Sequence, residues 1–493
     1  MMVSKLKENK LLIYIFIVTT SALFLLISST SSPLYPMNPW VDVNAYFTVG
    51  RGMLHGKVPY VDLFDVKGPL VFYLYSVMAL ISDNTFFGVF AIEFILFSLF
   101  LCSAYKITTL YISNIEVRMF VTAYVAFATV SSYAFEKGTS VEEICLWAMT
   151  YALYLVLRSA KTEKSLTTVE AMIIGLLGAW CFWIKYTMFG LFIGLAFYVI
   201  IKYFFSDKEH FIKLLLSFLF GFFVLSAAII IALACQGALS EAVNSYFFAN
   251  VSQYSETSNN SKVLSVIISV VKGTISFTAR NLQISIVVWM GLVLAIFDKK
   301  TSAKLVLSIA FASLLFFDYG GGVRNRYYAL VFAVFLPACL GEIIRWMNKK
   351  GLLGEDLINS KIIVVIFTAI LITLTYFISD NTRLLRYSKA DMPQFQFAEI
   401  INQTPNATIL NYGYLDTGLY FATGIDPSNK YFYIPNKVME DAAHNEQNQI
   451  LLNGKVDYIV SVNPLDEKYT NYELVEQDYF DFDGLTYYLY FKR

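Results

Sequence analysis

The sequence predicts a mainly α, polytopic helical membrane protein of about eleven spans that ends in a small α/β domain. Three observations carry that prediction. Hydrophobic types make up 57% of the 493 residues and charged types only 15%, well below the roughly one quarter of a soluble domain. Apolar stretches of about 17–25 residues, the length that crosses a bilayer as a helix, recur along most of the chain. After Asp380 the composition changes: residues 380–493 hold 16 acidic and 9 basic residues, a net charge of −7.

The first span is read at Leu11 to about Ser28, preceded by Lys5, Lys7 and Lys10. A cleaved signal peptide is the alternative. The many later spans favour an uncleaved helix, and the lysines place the N-terminus in the cytoplasm. Residues 70–82 are apolar but too short to span, so they are expected to lie flat on the outer face. The later spans then fall at 85–105, 119–135, 144–157, 168–184, 187–203, 212–235, 281–297, 304–318, 327–344 and 361–379, with 263–279 as a second interfacial helix. The positive-inside rule supports this choice. It gathers Lys106 and Arg118; Arg158, Lys161 and Lys164; Lys202, Lys208 and Lys213; Lys299, Lys300 and Lys304; and Arg345, Lys349, Lys350 and Lys361 on the cytoplasmic side.

The chain thus divides into a membrane part, 1–380, and an extracytoplasmic α/β domain, 381–493. In the latter, 407–411, 457–462 and 485–491 read as strands, and 393–403 and 444–453 as helices. Formal net charge is zero, and no basic patch points to nucleic acid. The five cysteines (Cys102, Cys145, Cys181, Cys235, Cys339) all lie in apolar spans, so the tail has no disulfide framework. The three histidines are scattered, without zinc-ligand spacing.

Chemistry concentrates in the first outer loop. It reads Asn38-Pro-Trp-Val-Asp42-Val-Asn-Ala-Tyr46, and then Gly56-Lys-Val-Pro-Tyr60-Val-Asp62-Leu-Phe-Asp65-Val-Lys67-Gly-Pro69. A loop folded back on itself brings Asp42 towards Lys67. A carboxylate held at the membrane surface can take a proton from a hydroxyl, and a lysine beside it can neutralise a phosphate. A polar loop with aromatic anchors would have much the same composition.

The pattern Asp42…Tyr46…Gly56-x-x-Pro59-Tyr60…Asp65-x-Lys67-x-Pro69 resembles the first outer loop of the GT-C glycosyltransferases, such as protein O-mannosyltransferases and lipid A aminoarabinose transferases. The resemblance covers about residues 1–380. It implies an acidic residue at the catalytic centre, here Asp42, with Tyr46, Tyr60 and Asp65 as substrate-binding neighbours, and a polyprenyl-phosphate-linked sugar as donor. One departure is plain: the family often has Asp-Glu where this chain has Asp42-Val43.

A second carboxylate is expected from Glu142 or Glu143, in the loop between the third and fourth spans, where GT-C proteins commonly carry an acidic residue. A helix-N-terminal acidic pair capped by Thr139 or Ser140 explains the same residues equally well. Lys185, Arg324 and Arg326 complete the candidate phosphate-binding set with Lys67. Lys185 ends the fifth span, where lysines also snorkel. The arginines follow Gly320-Gly321-Gly322, a run that lets backbone approach a ligand. These residues identify no cofactor. A divalent metal beside Glu142 or Glu143 stays an open option that no ligand spacing supports.

The expected function is sugar transfer from a polyprenyl-phosphate donor to an extracytoplasmic glycan, lipid or protein acceptor, with membrane lipid around it. A lipid-linked glycan polymerase or ligase is a related alternative. A flippase or transporter is another, but its ionisable residues would sit within spans; here Glu93 is the clearest such residue.

Overall fold

The computed structural model describes residues 10–162, 164–252, 262–297, 303–352, 360–435 and 439–493. Lys5, Lys7, Lys299 and Lys300, used above for topology, lie outside the described residues. In chain order the helices are α1 (Lys10–Ser28), α2 (Val41–Leu54), α3 (Pro69–Ile81), α4 (Phe87–Thr108), α5 (Ile115–Val130), α6 (Val141–Lys161), α7 (Thr168–Ile184), α8 (Gly190–Tyr203), α9 (Lys208–Cys235), α10 (Leu239–Val243), α11 (Asn250–Ser252), α12 (Lys262–Arg280), α13 (Leu282–Phe297), α14 (Ala303–Tyr319), α15 (Leu336–Lys349) and α16 (Lys361–Ile378). The tail adds α17 (Pro393–Ile401), β1 (Ile409–Tyr412), α18 (Leu419–Thr423), α19 (Glu440–Leu452), β2 (Tyr458–Ser461), β3 (Tyr472–Phe480) and β4 (Leu485–Lys492).

Each expected span falls on a helix, and the chain is a multi-span membrane protein. Among the described residues, seven helices are long and apolar enough to cross a bilayer: Lys10–Ser28, Phe87–Thr108, Tyr186–Tyr203, Lys208–Cys235, Val263–Arg280, Arg326–Lys349 and Lys361–Ile378. Val263–Arg280, read from the sequence as interfacial, therefore has the length and hydropathy of a span. Pro69–Ile81, also read as interfacial, is among the shorter apolar helices. At 13 residues it extends about 20 Å, short of the bilayer's hydrocarbon thickness.

Two compact units emerge. The first joins residues 1–28, 93–225 and 260–380. Its helices pack through small residues. A Cβ on Gly175 would come within 2.0 Å of the Phe218 carbonyl, and one on Gly221 within 2.0 Å of the Met172 carbonyl, so α7 and α9 touch backbone to backbone. The 3₁₀ stretch Arg326–Phe335, which leads into α15, is buried from Tyr327 onward.

The second unit joins residues 29–92, 226–259 and 381–493. Its sheet has the order β1-β2-β4-β3, with β1 and β2 parallel and the other pairs antiparallel. Leu410, Ile450, Leu451, Val456, Ile459 and Tyr490 lie in its core. The tail is thus α/β, as the sequence predicts, with β3 as an added edge strand. That strand reads YELVEQDYF and is buried only at Tyr472 and Phe480. Such charged edges blunt pairing with other chains and hide the hydrophobic alternation that marks a strand.

Candidate active site

The first cluster lies in the second unit and begins at the N-terminus of α2. Asn38 Oδ1 accepts the Trp40 N–H at 2.9 Å, and Asn44 Nδ2 donates to the Asn38 and Trp40 carbonyls, each at 3.0 Å. These bonds fix where the helix starts. Asp42 therefore falls in its first turn, where the helix dipole favours negative charge. Tyr46, one turn on, projects from the same face, and its hydroxyl donates to Asp42 Oδ2 at 3.0 Å.

Lys67 reaches the same oxygen from the other end of the loop. Its Nζ stands 3.4 Å from Asp42 Oδ2 and 5.6 Å from the Tyr46 ring centroid. Side-chain exposure is 21% for Lys67 and 23% for Asp42, so both are confined yet open to a ligand.

The loop between them is held from within. Asp65 is buried and accepts the N–H groups of Val66 at 2.5 Å and Lys67 at 2.9 Å, and the Tyr433 hydroxyl at 3.1 Å. Burial pushes the Asp65 carboxyl up, against the pull of the Lys67 ammonium and backbone N–H. Tyr60, fully buried, donates its hydroxyl to the Lys67 carbonyl at 2.6 Å. Its backbone takes a left-handed φ of 68°, unusual for a bulky residue. Asp62 caps the turn by accepting the Val58 N–H at 2.7 Å. Of the expected substrate-binding residues, Tyr46 thus touches Asp42, whereas Tyr60 and Asp65 spend their polar groups on the loop and on Tyr433. Pro69 then opens α3.

Helices α2 and α3 carry the two halves of the pair, and their spacing depends on Gly50. A Cβ there would lie 2.5 Å from the Tyr75 carbonyl carbon and 2.7 Å from the Ser76 nitrogen. The Tyr46 and Tyr75 rings meet edge to face at 5.4 Å.

The later turns of α2 hold the tail. Thr48 donates to Asp416 Oδ2 at 2.8 Å. Arg51, 2% exposed, pairs with Asp426 at 3.2 Å and donates to the Tyr420 and Ile425 carbonyls at 2.8 and 3.0 Å. Phe47 packs against Phe86 and Phe421.

The first unit holds the other expected residues. Ser140 caps α6, accepting the Glu143 N–H at 3.0 Å, so the acidic pair does occupy a helix N-terminus. Both glutamates are buried. Glu142 Oε1 pairs with Lys185 Nζ at 2.6 Å, and that ammonium also sits 3.3 Å from the Tyr328 ring centroid. Glu143 Oε2 and Glu93 Oε1 accept the same N–H, that of Thr139, at 2.7 and 3.1 Å. Arg326 pairs with Glu136 at 3.2 Å and stacks over the Tyr133 ring at 4.0 Å. Arg324 is exposed.

Sequence reasoning missed Tyr433, the Thr48–Asp416 and Arg51–Asp426 contacts, and Asp318. The first three join residues some 370 positions apart, beyond any local pattern. Asp318 stood in view beside the glycine run, but its burial is a tertiary property.

The sequence matches no family model and no curated protein. The fold does have solved counterparts. ArnT from Cupriavidus metallidurans bound to undecaprenyl phosphate superposes with a TM-score of 0.63 at 10% identity, over 98% of each chain. The same protein in the apo state gives 0.54 at 12% identity, again over 98% of each chain. An overlay on the arabinofuranosyltransferase AftD from Mycobacteria spans 97% of this chain and 40% of that one at 12% identity, with a TM-score of 0.47. At such identities the likeness is one of architecture: this chain has the ArnT fold from end to end.

Proposed function

We propose that this protein is a GT-C-type membrane glycosyltransferase that moves a sugar from a polyprenyl-phosphate-linked donor to an extracytoplasmic glycan, lipid or protein acceptor. The observation that carries the reading is the Asp42–Lys67 pair, 3.4 Å apart and partly open beside Tyr46. The ArnT fold supports it, because that protein's structure holds undecaprenyl phosphate. The basic loops described above support an inside N-terminus, with this pair and the tail on the outer face.

In the proposed reaction Asp42 takes the proton of the acceptor hydroxyl. The freed oxygen attacks the anomeric carbon, and the bond from that carbon to the phosphate oxygen breaks with inversion. Polyprenyl phosphate leaves with its developing charge met by Lys67, where electrostatic help counts most.

A panel of radiolabelled polyprenyl-phosphate sugars, incubated with membranes containing the protein, tests the reading. Release of label from at least one lipid is expected with the wild type and not with Asp42→Asn. A panel left intact by the wild type would reject it.

A further inference from the structure

Helices α6 to α9 of the first unit enclose a cavity of about 150 Å³ whose lining side chains are all aliphatic or aromatic. It extends from Phe192 to Ile200 on α8 and from Phe211 to Leu219 on α9, which is about 12 Å of helix in each case. One side is open. Ala196, Ile200 and Leu215 line the cavity and are also exposed, so its mouth lies between α8 and α9. Helix α9, and α8 together with the turn before it, are long and apolar enough to cross a bilayer. The mouth therefore faces hydrocarbon.

The chemistry of the occupant follows from the walls and from one end. Water finds no partner in such a space, and an apolar cavity of this size stays dry and takes an apolar guest. A mouth that opens on hydrocarbon admits a chain from it. At the end marked by Leu166, Ile200 and Phe211, segments 158–170 and 202–213 carry six basic and four acidic residues. Glu170 is taken by Arg158, Glu209 by Lys213, and Asp207 accepts the His210 N–H at 3.0 Å. Lys202 donates to the Ser159 carbonyl at 2.9 Å. Lys164 and Lys208 stay exposed at this end. Phe205, 88% exposed in the connection from α8 to α9, sits there as an interfacial anchor would. Excess positive charge beside an apolar slot between spanning helices matches an anionic lipid headgroup.

We propose that this cavity binds one acyl chain of an anionic phospholipid, whose phosphate is met by Lys164 and Lys208. The site lies within one unit and is independent of the glycosyl-transfer reading.

The test uses the full-length protein, stripped of lipid in detergent, and phosphatidylglycerol that carries a diazirine at the end of one chain. Illumination followed by peptide mapping should place the label on segments 192–200 and 211–219. Ala196→Phe fills the mouth and should weaken binding by about tenfold or more, the loss of some two buried methylenes. Leu215→Trp, at the same mouth on α9, makes the same test should Ala196→Phe fail to fold. The wild type should prefer phosphatidylglycerol to phosphatidylcholine of the same chains. Lys164→Gln with Lys208→Gln should keep the label in place and reduce that preference by about fivefold or more. Label spread evenly over the exposed helix faces would overturn the site, as would unchanged binding in the mouth variants. Equal binding of the two lipids by the wild type would overturn the anionic headgroup. Displacement of the label by undecaprenyl phosphate at a lower concentration than by unlabelled phosphatidylglycerol would overturn the phospholipid and assign the cavity to a polyprenyl chain.

Discussion

Lys67 Nζ and the Tyr46 hydroxyl converge on one oxygen of Asp42, at 3.4 and 3.0 Å. The Asp42 side chain is about a quarter exposed, so the carboxylate these two groups hold in place stays open to an acceptor hydroxyl.

Asp42→Asn keeps the shape and removes the proton acceptor. Turnover should fall by at least ~10²-fold with expression and membrane insertion unchanged. Label transfer normalised to protein in the membrane checks it. Near-normal activity in this variant would exclude Asp42 as the base.

Because Lys67 and Asp42 hold each other, their effects should not add. Lys67→Ala alone should weaken donor use by roughly tenfold or more, the scale of one charged hydrogen bond. The double variant should fall short of the product of the two single losses. A double-mutant cycle on label transfer measures this, and strict additivity would mean that the pair does not act together.

Gly50→Ala should damage the site from a distance. The added methyl meets the α3 backbone at 2.5 Å, and backbone cannot swing aside as a long side chain can. The helices must part, separating Asp42 from Lys67. Overpacking of this kind costs about 1–3 kcal/mol. A lower unfolding midpoint, together with a lower kcat, is the expected outcome; wild-type values of both would show that the contact is soft.

Asp416 gives the tail a pH signature. Burial raises its carboxyl from the ordinary 3.8 to about 6, despite the Gly418 N–H, the Thr48 hydroxyl and Arg51. The folded state therefore binds the proton more tightly than the unfolded chain, and stability is lost as pH rises from about 4 through about 6. A shift of that size corresponds to about 3 kcal/mol. Asp416→Asn should flatten this part of the profile, as unfolding midpoints between pH 4 and 7 would show. An unchanged slope in the variant would assign the effect elsewhere.

Much of this was legible in the sequence because bilayers impose simple rules on length and charge. The apolar runs announce the helices, and Pro69 and the acidic first turn of α2 fix where two of them start. The approach of Lys67 to Asp42 was readable because both ends of one loop are tied to helices. Other features leave no local trace. A carboxylate paired in a core and one left bare in it have the same letter, so Asp318 could not be told from an ordinary helix-end aspartate. Strand β3 was hidden because four of its nine residues, Glu473, Glu476, Gln477 and Asp478, carry charged or amide side chains.

Helix α2 presents Asp42 on its first turn and grips Asp416, Tyr420 and Asp426 of the tail through Thr48 and Arg51 further along. The tail is therefore no detachable module. Chimeras that exchange it between related proteins to change the acceptor would have to carry residues 41–54 with it, or build a matching seat there. A chain truncated after Asp380 would expose Phe47 and strand the Arg51 guanidinium, loosening the helix that aims the base. Loss of activity on such truncation would thus measure the support of Asp42 as much as any contact between tail and acceptor.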